Sequence, residues 1–212
     1  PSWKRGKSRS CWQAWWLLLG AASALAWLAV WQLVPPDAVC RTVEPAAEAE
    51  QPWQARLALT LRSPGPWLVA TTFAVYSGQW IGLVGFLPTI YAQAGLTAQV
   101  AGMLTAVVAA ANLVGNLSAG RLLQRGWSAA RCLQMGFGGM AVCALLAFVQ
   151  WNGEALLPLA ARFAVIVLFS AIGGLIPATL FTTAVRLAPD ASTVSTTVGF
   201  MQQWSCVGQF AG

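Results

Sequence analysis

Six stretches of this chain, residues 12–34, 67–91, 98–120, 131–151, 156–181 and 193–212, carry at most one charge each, and that pattern allows few folds. A helix rising about 1.5 Å per residue crosses a hydrocarbon core of ~30 Å in about 20 residues, close to the length of each stretch. In lipid, every backbone N–H and C=O must find its partner within the segment, which selects helices and excludes open strands. The expected fold is an all-α membrane protein with about six transmembrane helices.

Composition removes the alternatives. Charged residues make up 8% of the chain and hydrophobic ones 58%, where a soluble domain carries roughly a quarter charged. The net charge of +6 comes from basic residues in short clusters between apolar runs. That pattern fits a membrane flank and not a nucleic-acid footprint. Twelve tryptophans suit the lipid–water interface. The run 12–34 is too long for the apolar core of a signal peptide. The cysteines Cys11, Cys40, Cys132, Cys143 and Cys206 show no CxxC spacing and read as small buried hydrophobes, so neither metal nor cofactor is expected. The chain opens at Pro1 without Met and ends at Gly212 inside an apolar pattern, which reads as a piece of a longer protein.

The connections divide the sequence into a lead and first helix at 1–34, a solvated linker at 35–66 and five helices at 67–212. Asp37, Glu44, Glu48, Glu50 and three arginines mark the linker, with a short surface helix expected around 46–61. Basic residues alternate from loop to loop: Arg41, Arg56 and Arg62, then none in 92–99, then Arg121, Arg125 and Arg131, then none in 151–155, then Arg186. The positive-inside bias places 35–66, 121–131 and 182–192 in the cytoplasm of a multi-pass protein, a bacterial inner membrane being the expected setting. Lys4, Arg5, Lys7 and Arg9 run against that alternation.

No His occurs, and no Asp or Glu lies deep in a span. Acid–base, metal and nucleophile–base chemistry therefore have no residues to use, and an enzyme is not expected. Uncharged polarity at helical spacing remains. Thr72, Tyr76 and Gln79 recur in the second span, Thr105, Asn112 and Asn116 in the third, and Ser195, Gly199 and Gln202 in the sixth, beside Gln203 and Ser205. Amides in lipid turn toward protein or water, so these faces serve either interhelical hydrogen bonds or a cavity for a solute. Arg162, near one end of the fifth span, either snorkels, pairs with Glu154 or meets an anion. Gly173-Gly174 with Pro177 interrupts the same span and reads as a helix bend.

One loop carries a family pattern. Gly120-Arg121-Leu122-Leu123-Gln124-Arg125-Gly126 resembles the Gly-x-Leu-Ala-Asp-Arg-x-Gly-Arg loop of the major facilitator superfamily. Gly120, Leu122 and Arg125 match; Gln124 takes the Asp position, as in the weaker copy in the family's second half. The resemblance implies a partial fold of that family, mainly the C-terminal bundle, running from about its sixth helix to its eleventh, with 35–66 as the central loop. It implies a secondary active transporter moving a small organic solute by alternating access, with any coupling proton or ion handled by the missing half. Tyr76, Gln79, Asn112, Asn116, Arg162, Gln202 and Gln203 are then the substrate-path candidates, and Gly120, Leu122, Gln124 and Arg125 shape a cytoplasmic gate loop. The competing expectation is a membrane-integral scaffold or assembly subunit whose polar faces serve packing alone.

Overall fold

The computed structural model describes residues 8–33, 52–151 and 154–212. The basic lead, most of the linker with its acidic residues, Asn152–Gly153 and the Glu154 side chain lie outside the described residues. Two units are present, divided after Glu50. The first contributes one helix, α1 (Ser8–Leu33), whose described apolar part is Leu17–Leu33. Leucine and tryptophan side chains are exposed along it, and Trp27 stacks on Trp31 at 5.8 Å between centroids. A helix that is apolar all round is at home in lipid.

The second unit begins with α2 (Trp53–Arg62) and continues as α3 (Pro64–Gln93), α4 (Ala98–Gln124) and α5 (Ala129–Phe148). α6 (Leu159–Gly173), α7 (Leu175–Leu187) and α8 (Val194–Ala211) complete it. Helices α3, α4 and α5 and the combined stretch Leu159–Leu187 are long and apolar enough to cross a membrane. The stretch expected to span at 193–212 is helical, but Ser195, Thr196, Thr197, Gln202, Gln203, Ser205 and Gln209 keep it out of that class. Its neighbours account for this polarity, as described below. Of the surface helix expected around 46–61, residues 46–51 lie outside the described residues and α2 covers the rest from Trp53, while residues 64–66 belong to the first turn of α3 rather than to the linker. Open strands were excluded from the spans, yet a two-residue antiparallel pair, β1 (Gln150–Trp151) with β2 (Glu154–Ala155), closes the turn after α5. It lies past the apolar helix, where backbone hydrogen bonds no longer have to stay within one segment.

Two turns use the same local chemistry. Gly95 (φ 82°) and Gly126 (φ 85°) take left-handed backbone just past their helices, a conformation that costs other residues more. The amides of Leu96 and Trp127 reach back to the carbonyls of Tyr91 and Leu122, a Schellman closure. Two residues after each glycine, Thr97 and Ser128 accept a hydrogen bond from the next helix's first turn. Each Gly-x-(Thr/Ser) therefore stops one helix and starts the next, reversing the chain between α3 and α4 and again between α4 and α5.

Asp190 performs the equivalent task before α8. Its carboxylate accepts from the Ser192 amide at 2.7 Å, and that bond holds its pKa below the ordinary carboxylate value. A lowered folded-state pKa stabilises the fold above the unfolded value, and this contribution is lost as pH falls through the folded one. Asp190→Asn should therefore lower the thermal midpoint near neutrality, and the gap to wild type should close below the ordinary carboxylate range. A gap independent of pH would contradict the capping role.

Packing relies on small residues, since lipid supplies no hydrophobic drive between helices. α3 makes its broadest contact with α8, and the two run parallel. Gly78 and Gly82 of one face Gly208 and Gly212 of the other, close enough that a Cβ on Gly78 would sit 2.8 Å from the Gly208 carbonyl oxygen. Two apolar clusters fill the interior, one around Tyr76, Met140, Phe169, Ile176 and Met201, the other around Leu87, Tyr91, Val108 and Ile166. Cys132 and Cys143 are buried as expected, whereas Cys206 is exposed because it lies on the side of α8 turned away from α3. At the Arg62–Pro64 elbow, the Trp67 indole donates to the Leu61 carbonyl at 2.9 Å and meets Phe200 and Trp204 edge-on. Such a cluster suits the membrane interface.

Candidate functional site

The polar faces of α3, α4 and α8 converge where the fifth span breaks. Pro177 has no N–H to offer the carbonyl four residues back, so α6 ends at Gly173 and α7 restarts after Gly174. Gly115 of α4 packs directly on this break: a Cβ there would lie 2.7 Å from the Cα of Gly174 and would strike the Ala171 carbonyl. That approach carries Asn112 and Asn116, one turn before and one residue after Gly115, up to the broken helix.

Asn112 spends its amide on its neighbours. Its Nδ2 donates to the Tyr76 hydroxyl at 2.9 Å and to the Ser170 carbonyl at 3.0 Å, while its Oδ1 accepts from Asn116 Nδ2 at 2.9 Å. The Trp80 indole donates to the Ser170 hydroxyl at 3.2 Å. On the α8 side, Ser77 and Ser205 share a hydrogen bond at 2.7 Å, and Gln209 Nε2 donates to Ser205 at 3.3 Å. The network thus ties α3 to α4, α6 and α8.

Above it lies a cavity of about 360 Å³ lined by Phe73, Tyr76, Ser77, Trp80, Asn112, Asn116, Pro177, Gln202, Ser205 and Gln209. Four of the expected path residues, Tyr76, Asn112, Asn116 and Gln202, meet here with Pro177 of the helix interruption. Three others do not line it. Gln79 opens onto a separate apolar groove between α3, α5 and α6. Gln203 is exposed on α8. Arg162 sits in the first turn of α6, its Nε donating to the Ala147 carbonyl at 2.9 Å and its guanidinium carbon 5.9 Å from the Phe148 ring centroid. Thr72 and Thr105 bond carbonyls of their own helices. Ser77, Trp80 and Gln209 were not singled out in the sequence. Ser77 and Trp80 follow Tyr76 by one and four residues, and Gln209 follows Ser205 by four, so helical spacing was the available signal.

At the other end of α4, Gly120 and Leu122 belong to its last turns, Gln124 is its final residue and Arg125 its C-cap. Gln124 and Arg125 are exposed, and Leu122 supplies the carbonyl of the Gly126 closure. The Gly120–Gly126 loop is thus also a helix stop.

Residues 6–212 match the family model described as Major Facilitator Superfamily. The chain belongs to the Major Facilitator Superfamily. No curated protein and no solved structure matches it. Membership of this superfamily makes the chain a multi-pass membrane protein, implies a secondary transporter and excludes an enzyme. A bilayer and a transported solute are its implied partners.

Proposed function

We propose that the cavity between α3, α4, α7 and α8 is the solute path of a secondary active transporter that moves a small organic solute by alternating access. The observation that carries this reading is the set of hydrogen-bonding groups left over once the network is formed. Among the described residues, the Gln202 amide, the Asn116 Oδ1 and the Tyr76 hydroxyl hydrogen have no partner, and all three residues line the cavity. A neutral, partly aromatic wall with a few free amide and hydroxyl groups suits a small polar organic solute. Asn112, with both donors and its oxygen engaged, is a positioning residue. Residues 67–212 form the helices of one bundle in this reading, 1–34 the lead and last helix of another, and 35–66 the connection between them. The alternating positive charge supports 35–66, 121–131 and 182–192 as cytoplasmic, in a bacterial inner membrane. Gly120, Leu122, Gln124 and Arg125 then act at a cytoplasmic gate, and Gly173, Gly174 and Pro177 supply the bend on which it works.

Packing alone is the second reading, favoured by how completely Asn112 is spent on its neighbours. The two separate on Gln202, which joins no interhelical bond among the described residues. The test is transport by the wild-type protein across a panel of labelled organic acids, amines and sugars, repeated with Gln202→Ala on whichever solute moves. A rise in KM of about tenfold, the equivalent of one or two lost hydrogen bonds, is expected with an unchanged thermal midpoint. Unchanged transport and affinity would remove Gln202 from the path.

A further inference from the structure

Three residues that line the cavity, Tyr76, Trp80 and Asn112, also touch the break in the fifth span, and Ser170 is where they meet. Ser170 is fully buried, one turn before Gly174, and it receives three hydrogen bonds. Its carbonyl accepts from the Gly174 amide at 3.1 Å, which closes the last turn of α6, and from Asn112 Nδ2 at 3.0 Å. Its hydroxyl accepts from the Trp80 indole at 3.2 Å. Asn112 also donates to Tyr76, whose ring lies beside the break: a Cβ on Gly173 would sit 3.5 Å from a carbon of that ring.

The Ser170 hydroxyl is used unusually. Those of Thr72, Thr105, Ser118, Thr179 and Thr183 each bond the carbonyl four residues earlier in their own helix. Ser170 makes no such bond among the described residues and takes the α3 indole instead. The contact between α3 and α6 is among the narrowest in the bundle, so this hydrogen bond is a large part of what joins the two.

We propose that Ser170 is the positioning residue that couples the α3 wall of the cavity to the bend at Gly173–Gly174. The proposal rests on the reading of the cavity as a solute path. Pro177 withholds one backbone N–H, which leaves the angle between α6 and α7 free to change. When it changes, α6 carries Ser170 with it, and Trp80 and Asn112 follow through their hydrogen bonds. Coupling of this kind is reciprocal, so a solute that moves the wall also biases the bend.

The test is a double-mutant cycle read at the cavity. Gln202→Cys, in the full chain cleared of its native cysteines, is treated with a membrane-impermeant thiol reagent in right-side-out and in inverted vesicles. The ratio of the two rates cancels any change in the thiol's intrinsic reactivity and reports only which face the cavity meets. Pro177→Ala restores the missing N–H and should shift this ratio at least about fivefold. With Ser170→Ala also present, the shift should shrink by about threefold, the size of one interhelical hydrogen bond in a membrane. Trp80→Phe removes the same bond from the α3 side and should reproduce that result, so it serves alone if Ser170→Ala is not recovered. An equal shift with and without Ser170→Ala, or no shift on Pro177→Ala, would overturn the coupling and leave the solute path standing. Labelling of Gln202→Cys from neither face would overturn the path, and the coupling with it.

Discussion

Gly115→Leu is expected to be the most damaging single substitution in this protein, lowering the yield of monodisperse material and the thermal midpoint in detergent together. Overpacking a filled interior costs about 1–3 kcal/mol, occasionally more, and most such sites have flexible side chains that can give way. Here the neighbours are backbone: the Ala171 carbonyl and, at 2.7 and 2.9 Å from a built Cβ, the Cα and carbonyl carbon of Gly174. Moving them means separating α4 from the α6–α7 break, which also withdraws Asn112 from Ser170. A cost of about 3 kcal/mol or more follows. Gly102→Leu is the control, because nothing lies within 4 Å of a Cβ at that position of the same helix. It should leave the midpoint unchanged or raise it slightly, leucine being the better helix former. Equal midpoints for the two variants would contradict the packing account.

Asn112→Leu should have the larger effect on function and the smaller one on stability. The leucine fits the volume but leaves the Tyr76 hydroxyl, the Ser170 carbonyl and the Asn116 amide each short of one partner. Interhelical hydrogen bonds in membranes are worth about 0.6 kcal/mol on average, so the summed loss of stability is modest. The wall of the cavity suffers more, because Tyr76 and Asn116 turn to satisfy each other or water and no longer meet the solute. Transport should fall by at least about tenfold, given ~1–3 kcal/mol for a buried polar group left unpaired. Asn112→Gln should recover part of it if the longer amide still reaches Ser170. Transport loss proportional to lost protein in the membrane would reduce Asn112 to a packing role.

Much of this architecture was legible from the residues. Apolar length located the helices, and Gly95-Leu96-Thr97 and Gly126-Trp127-Ser128 mark their turns through a chemistry that needs no tertiary context. The four-residue spacing of Gly78 with Gly82 and of Gly208 with Gly212 allows close contacts, but only the structure sets one pair against the other. The site was half legible. Tyr76 and Gln79 are about 60° apart on a helix, close enough to count as one face in a sequence, yet α5 and α6 enclose one side and α8 the other. That angle suffices to send Gln79 into the separate apolar groove. Arg162 was expected about six residues into its span, but the helix starts at Leu159 and places it in the first turn. The polarity of α8 first reads as a weak transmembrane signal. It is explained by position: Ser205 and Gln209 face the network, and Gln202 faces the cavity.

The central claim is that the Asn116–Gln202 cavity opens to water on each side of the membrane in turn. It is tested most directly by thiol accessibility. Gln202→Cys and Asn116→Cys, each in a chain cleared of its five native cysteines, are treated with a membrane-impermeant thiol reagent in right-side-out and in inverted vesicles. Alternating access predicts that both positions react from both faces, and that a transported solute slows the reaction. Reaction with lipid-soluble reagents only, from neither aqueous face, would mean that these amides pack helices together and line no path.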